Sequence, residues 1–202
     1  SNFYKKIILM AIYDCFQYFN EDHIVDLRLN ILNDHVDYFV IVESTFNHNG
    51  ESRQLKFDIN KFEKFKKKIK YVVWDKIPED IEKINENDEE IIRERKFINN
   101  AVRRDNGQRN YVMKGLENAD KNDLILLSDL DEIPLLNKID LKKIKHKIII
   151  FEQLMCYYKF NLAIPNYKWF GTRACLKKNL KSPQWLRNIK ARKYPFFRLD
   201  IL

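Results

Sequence analysis

The chain has 202 residues, 45% of them hydrophobic and 33% charged, which suits one α/β domain with a sizeable core of the ordinary soluble, globular kind. The formal net charge of +8 favours anionic partners, but the lysines behind it are spread along the whole chain and read as a solvated surface rather than a nucleic-acid interface. Cys15, Cys156 and Cys175 show no paired metal spacing and make no disulfide framework, and no run approaches the ~20 apolar residues that span a bilayer. With no signal peptide evident, the expectation is a reduced, soluble protein of the cytoplasm.

The apolar run over 6–13 predicts a first, central strand that ends in Asp14-Cys15-Phe16. Glu21-Asp22 opens a helix whose apolar residues Ile24, Leu27, Ile31 and Val25, Leu32 recur with helical period. A second buried strand over 38–42 closes on Glu43-Ser44, and Asn47-His48-Asn49-Gly50 makes a turn. A short helix over 57–65 leads to a third strand over 69–74. After an acidic connection over 78–87, Ile91, Ile92, Phe97, Ile98, Ala101 and Val102 carry a helix. Asp105-Asn106-Gly107 predicts a break before a second helix over 108–118.

Leu124-Ile125-Leu126-Leu127 then reads as a short strand buried on both faces. It breaks into Ser128-Asp129-Leu130-Asp131-Glu132-Ile133-Pro134, where proline ends the ladder. Beyond it the pattern predicts one helix over 135–145 and a strand over 148–160. The end is mixed, with Trp169, Gly171, Trp185, Arg187, Arg192 and Tyr194. Alternating strands and helices predict a mostly parallel central sheet flanked by helices, in a single domain over 3–202.

Three carboxylates at the carboxyl end of a buried strand lie where open α/β sheets bind ligands. Crowded like charges call for a cation, and oxygen ligands suit Mn²⁺ or Mg²⁺, with the phosphates of a nucleotide completing its shell. Asp129 and Asp131 are the candidate metal pair. Asp14 and Glu43 end the first two strands on the same expected edge of the sheet. Arg109, at an expected helix start, could reach a diphosphate with its planar fork. The four histidines show no zinc spacing. With only 4 glycines and no phosphate-binding glycine loop or nucleophile elbow, phosphate handling has to go through metal and side chains.

Several blocks together resemble glycosyltransferase family 17: Ile12-Tyr13-Asp14-Cys15-Phe16 with Phe19-Asn20-Glu21, Leu27-Arg28-Leu29, Val36 to Ser44, Gln108-Arg109-Asn110, Gly115-Leu116, Ser128 to Pro134, and Trp169, Gly171 and Thr172. That family includes the β-1,4-mannosyl-glycoprotein β-1,4-N-acetylglucosaminyltransferase. The resemblance implies a GT-A type fold, a UDP-sugar donor (UDP-GlcNAc in characterised members), inversion at the anomeric carbon and a glycan or glycoprotein acceptor. It implies that Asp129 and Asp131 form the Asp-x-Asp metal site, that Arg109 faces the donor diphosphate, and that Tyr13, Asp14 and Glu43 line the nucleotide pocket with Asp129. The family pattern runs on into a Gly-Trp-His-Phe-Ser-like block that this chain stops short of. For the general base that inversion requires, Glu152 and Asp200 are the candidate carboxylates. The animal relatives are Golgi membrane proteins, so the absence of an anchor points to a bacterial or viral enzyme. Two other readings stay open: a sugar-nucleotide hydrolase or nucleotidyltransferase with the same metal–diphosphate chemistry, and a catalytically silent glycan- or nucleic-acid-binding module.

Overall fold

A computed structural model describes residues 10–144, 146–159 and 161–195, with Arg198 and Ile201. In chain order it contains β1 (Ile12–Tyr18), α1 (Asp22–Leu32), β2 (Tyr38–Ser44), β3 (Ile69–Trp74), α2 (Glu90–Asn110), α3 (Val112–Gly115), β4 (Leu124–Leu127), β5 (Ile148–Cys156), β6 (Ala163–Leu176) and α4 (Pro183–Asn188). The six strands form one sheet in the order β3-β2-β1-β4-β6-β5. Among the described residues, no helix is long and apolar enough to cross a membrane.

The two-residue period of the strands sorts their side chains onto two faces. Ile12 and Phe16 of β1, Phe39 and Ile41 of β2 and Leu124 and Leu126 of β4 pack on one side with Val25, Leu29 and Leu32 of α1. Tyr13, Cys15, Val40, Val42, Ile125 and Leu127 pack on the other, with Val112, Leu116 and Leu186. Both faces are covered, which is why these strands read as continuous apolar runs.

The sheet is mixed, not mostly parallel as expected. β1, β2, β3 and β4 are parallel neighbours, but β6 runs antiparallel to both β4 and β5. The cause is the connection: just past β5, Tyr157 N–H donates to the Leu162 carbonyl at 2.9 Å, immediately before β6, and so short a link permits only an antiparallel pair.

Other boundaries also move. β1 starts at Ile12 and runs to Tyr18, so Asp14 lies inside the strand rather than at its end; residues 6–9 of the expected strand are outside the described residues. No break occurs at Asp105-Asn106-Gly107, because α2 continues to Asn110. Gly107 serves close packing there, since a Cβ would meet the Trp74 ring at 2.7 Å. Arg109 therefore sits in the last turn of a helix, not at a helix start. The expected helix over 135–145 is two 3-10 turns, Leu136–Lys138 and Leu141–Lys143. Leu136 and Leu141 are both buried. On one α-helix, positions five apart face about 140° away from each other, so a continuous helix could not bury both.

The buried stripe of α1 contains one surprise. Val25, Arg28, Leu29 and Leu32 are its buried residues, which is the spacing of a core face. Arg28 spans the interior to reach Asp14, with Nε donating to Oδ2 at 2.7 Å and Nη2 to Oδ1 at 2.6 Å. Both side chains are 0% exposed. Arg28→Met leaves the Asp14 charge buried without a partner and is expected to destabilise the fold by about 3–5 kcal/mol. Arg28→Met combined with Asp14→Leu is expected to recover much of that loss. Urea unfolding of the three proteins checks both statements.

Candidate active site

The carboxyl end of β4 is built as a locked turn. Glu132 N–H donates to the Asp129 carbonyl at 3.1 Å, and Asp129 N–H donates to Glu132 Oε2 at 2.9 Å. Arg28 holds the turn from inside: Nη1 donates to the carbonyls of Asp129, Leu130 and Glu132 at 3.1, 2.9 and 3.1 Å. Its Nη2 also reaches Ser128 Oγ at 2.6 Å. Thr172 of β6 adds a hydroxyl donor to the Glu132 carbonyl at 2.8 Å. The carbonyls of Asp129, Leu130 and Glu132 are thus all engaged.

The three carboxylates of the turn have three different fates. Glu132 is buried, and its oxygens accept from Trp169 Nε1 at 2.8 Å and from both terminal nitrogens of Arg187 at 2.8 Å. Asp129 is partly exposed and shared between two arginines, Arg187 Nη2 at 2.6 Å and Arg109 Nη2 at 3.2 Å. Arg109 is itself oriented by Asp105 at 2.8 Å and Gln184 at 2.6 Å. Burial opposes the charge on Arg187, but its bonds to Glu132 and Asp129 outweigh that and hold its pKa above the ordinary value. Asp131 is exposed, and no hydrogen bond or ion pair among the described residues engages its carboxylate.

Two cavities flank this turn. The larger, about 1110 Å³, is lined by residues of the β1 end and α1, the 47–49 loop, α2 and the turn, including Gln17, Glu21, Arg109, Asp129 and Asp131. The smaller, about 580 Å³, lies between β6 and α4. Asp105, Arg109 and Asp129 line both, so they form the shared wall.

Of the residues singled out in the sequence, Arg109, Asp129 and Asp131 come together at the larger cavity. Tyr13, Asp14 and Glu43 do not reach it, which corrects the expectation that they line the pocket. Tyr13 is buried against Tyr38, ring centroids 4.8 Å apart. Asp14 is consumed by Arg28. Glu43 is buried and accepts from the backbone of Lys56 and Phe57 at 2.7 and 3.0 Å and from Tyr71 Oη at 2.7 Å, with Arg53 at 3.0 Å. It ties down the 53–57 segment. Glu152 is exposed on β5 and paired with Lys168 at 3.0 Å, and it lines neither cavity. Asp200 lies outside the described residues.

Sequence reasoning passed over Arg28 and Arg187. A signal existed for Arg28, a charged residue on an otherwise apolar 25/28/29/32 stripe. For Arg187 there was none, because its partner Glu132 is 55 positions away. Among the described residues, no three His, Cys, Asp or Glu side chains converge to hold a metal ion by themselves.

The chain matches the family described as glycosyltransferase family 17 over residues 4–188. No curated protein matches it.

The buried phenols set an alkaline limit on the fold. Burial, then Asp123, pushes the Tyr13 phenol up to about 12, and burial followed by the bond to Glu43 raises that of Tyr71. A pKa raised by folding contributes stability that is complete below the unfolded value near 10 and is lost as pH rises through the folded value. Urea midpoints are therefore expected to fall between pH 10 and 12. Tyr13→Phe, which has no phenol to titrate, is expected to fall less steeply over that window.

Proposed function

The chain belongs to glycosyltransferase family 17 and is a glycosyltransferase; from that premise we propose that it is a metal-dependent, inverting enzyme of GT-A type. In this reading it moves a sugar, GlcNAc, from a UDP donor held in the larger cavity to a hydroxyl of a glycan or glycoprotein acceptor. The observation that carries the reading is the sorting of the acidic turn. Glu132 and Asp129 are neutralised by arginines, and Asp131 alone presents an uncommitted carboxylate to a cavity of about 1110 Å³, ample for a nucleotide-sugar.

The residues fit an ion held mainly by the donor. One carboxylate plus substrate phosphates is a common way for Mg²⁺-type ions to bind, with no cage of protein ligands. Asp131 is the residue that would hold Mn²⁺ or Mg²⁺. Asp129, gripped by Arg109 and Arg187, orients the turn and stands ready as a second oxygen donor. When bound, such an ion supplies Lewis-acid neutralisation of the charge that gathers on a departing diphosphate. Arg109 lines the same cavity with its planar fork already oriented by Asp105 and Gln184, and such a fixed donor costs no reorganisation when charge develops. Inversion needs a base for the acceptor hydroxyl. Because Glu152 is paired with Lys168 and lines neither cavity, this reading keeps Asp200 in that role.

Thermal unfolding with UDP-GlcNAc, UDP-glucose, UDP-galactose or GDP-mannose, each with Mn²⁺ and with EDTA, tests the reading through mass action on the folded state. A Mn²⁺-dependent rise in Tm with UDP-GlcNAc, abolished in Asp131→Ala, is expected. An equal rise in EDTA removes the metal from the mechanism. A rise with GDP-mannose alone removes the UDP donor.

A further inference from the structure

We propose that the smaller cavity is the acceptor site and that it selects a saccharide bearing a negatively charged group, a phosphate or a carboxylate, through Arg173 and Lys190. This rests on the transferase reading above. It adds the chemical class of the acceptor.

Position comes first. The cavity of about 580 Å³ shares Asp105, Arg109 and Asp129 with the larger one. A molecule seated in it therefore lies across one wall of side chains from a donor bound beside Asp131. Its volume suits one or two sugar rings. Tyr167 and Trp169 contribute aromatic surface, and Gln184 and Asn188 contribute amide groups. That combination serves sugars, whose ring faces are apolar and whose edges carry hydroxyls.

Charge bookkeeping then separates committed cations from available ones. Arg109 is bonded to Asp105 and Asp129, Arg187 to Asp129 and Glu132, and Lys168 to Glu152. No carboxylate of the described residues makes an ion pair with Arg173 or Lys190. Arg173 is only 5% exposed. Its Nε donates to the Ile189 carbonyl at 2.8 Å and its Nη1 to the Gly171 carbonyl at 2.5 Å, while Nη2 has no hydrogen-bond partner among the described residues. Two neutral carbonyls do not offset a buried guanidinium; Asp129 and Glu132 act on it only from beyond bonding distance. Burial, and after it the neighbouring Arg187 charge, pushes the Arg173 pKa below its ordinary value. An anion arriving at Nη2 would relieve both. Lys190, exposed at the rim, would supply the second contact and steer the anion in.

The donor's own diphosphate is the rival occupant of these cations, and calorimetry separates the two. The 202-residue protein is titrated with UDP plus Mn²⁺, and then, with and without UDP, with glucose 6-phosphate, glucuronate and methyl glucoside. The expected result is binding of at least one anionic sugar, with methyl glucoside about tenfold weaker or undetectable. Saturating UDP should leave that binding in place, and added salt should weaken it. The response to phosphate against carboxylate identifies which anion the site reads. Lys190→Glu should weaken the anionic sugar about tenfold with UDP affinity unchanged, and Arg173→Gln should abolish it. Because Lys190 is exposed, the test does not hang on the fold tolerating a change at buried Arg173. Equal binding of the neutral sugar, displacement of the anionic sugar by UDP, or indifference to Lys190→Glu each overturns the proposal. Failure of UDP itself to bind overturns the donor reading instead, and the titrations without UDP still decide the anion site.

Discussion

One guanidinium connects the central strand, the first helix and the acidic turn. Asp14 lies inside β1 with no access to water, and a carboxylate there is tenable only with a partner that matches both oxygens. Arg28 supplies that match and has donors to spare. They go to Ser128 Oγ and to three carbonyls of the turn. Lysine could not do the same, having one point of charge where arginine has a planar fork. The consequence reaches the surface: the turn carrying Asp129 and Asp131 is positioned by a buried ion pair formed between residues 14 and 28. A pair of this kind is weak evidence for stability in itself. Its value here is geometric, since it fixes one arrangement of three elements.

Outward from that pair, charges alternate. Asp105, Arg109, Asp129, Arg187 and Glu132 form a chain of contacts running from α2 through the turn to α4. Arg109, Asp129 and Arg187 are each held by two neighbours, so the rotamers at the wall between the cavities are set before any ligand arrives. A rigid first layer backed by a second is what precise transfer chemistry requires. The alternation also explains how one short turn can hold three carboxylates without repelling itself apart: two are compensated, and the third faces open space.

The placement of Glu43 and Tyr13 shows how a sheet edge can mislead. Glu43 follows the strand-end pattern that lines nucleotide pockets in open α/β sheets, and the family resemblance puts Tyr13 beside it. Glu43 instead turns inward to gather the backbone of 56–57 and the Tyr71 hydroxyl, and Tyr13 fills the layer against Tyr38. The strand-end rule specifies where ligands bind, but strand parity decides which side chains get there. The continuation of β1 to Tyr18 is enough to place Asp14 in the core rather than at the rim.

From the sequence alone, the α/β class, the four parallel strands with their buried faces, the acidic turn after β4 and the family could all be read. These depend on local pattern: apolar runs, helical period, and a proline that ends a ladder. The antiparallel course of β6, the unbroken passage of α2 through Gly107 and the partition of Asp129, Asp131 and Glu132 into shared, open and buried carboxylates could not. Each of these depends on what lies across space: the tightness of the β5–β6 turn, the Trp74 ring beside Gly107, and an arginine 55 positions from Glu132. Periodicity reports which face of an element is buried, whereas the charge state and reach of a site depend on which distant side chains the folded chain brings within hydrogen-bond distance.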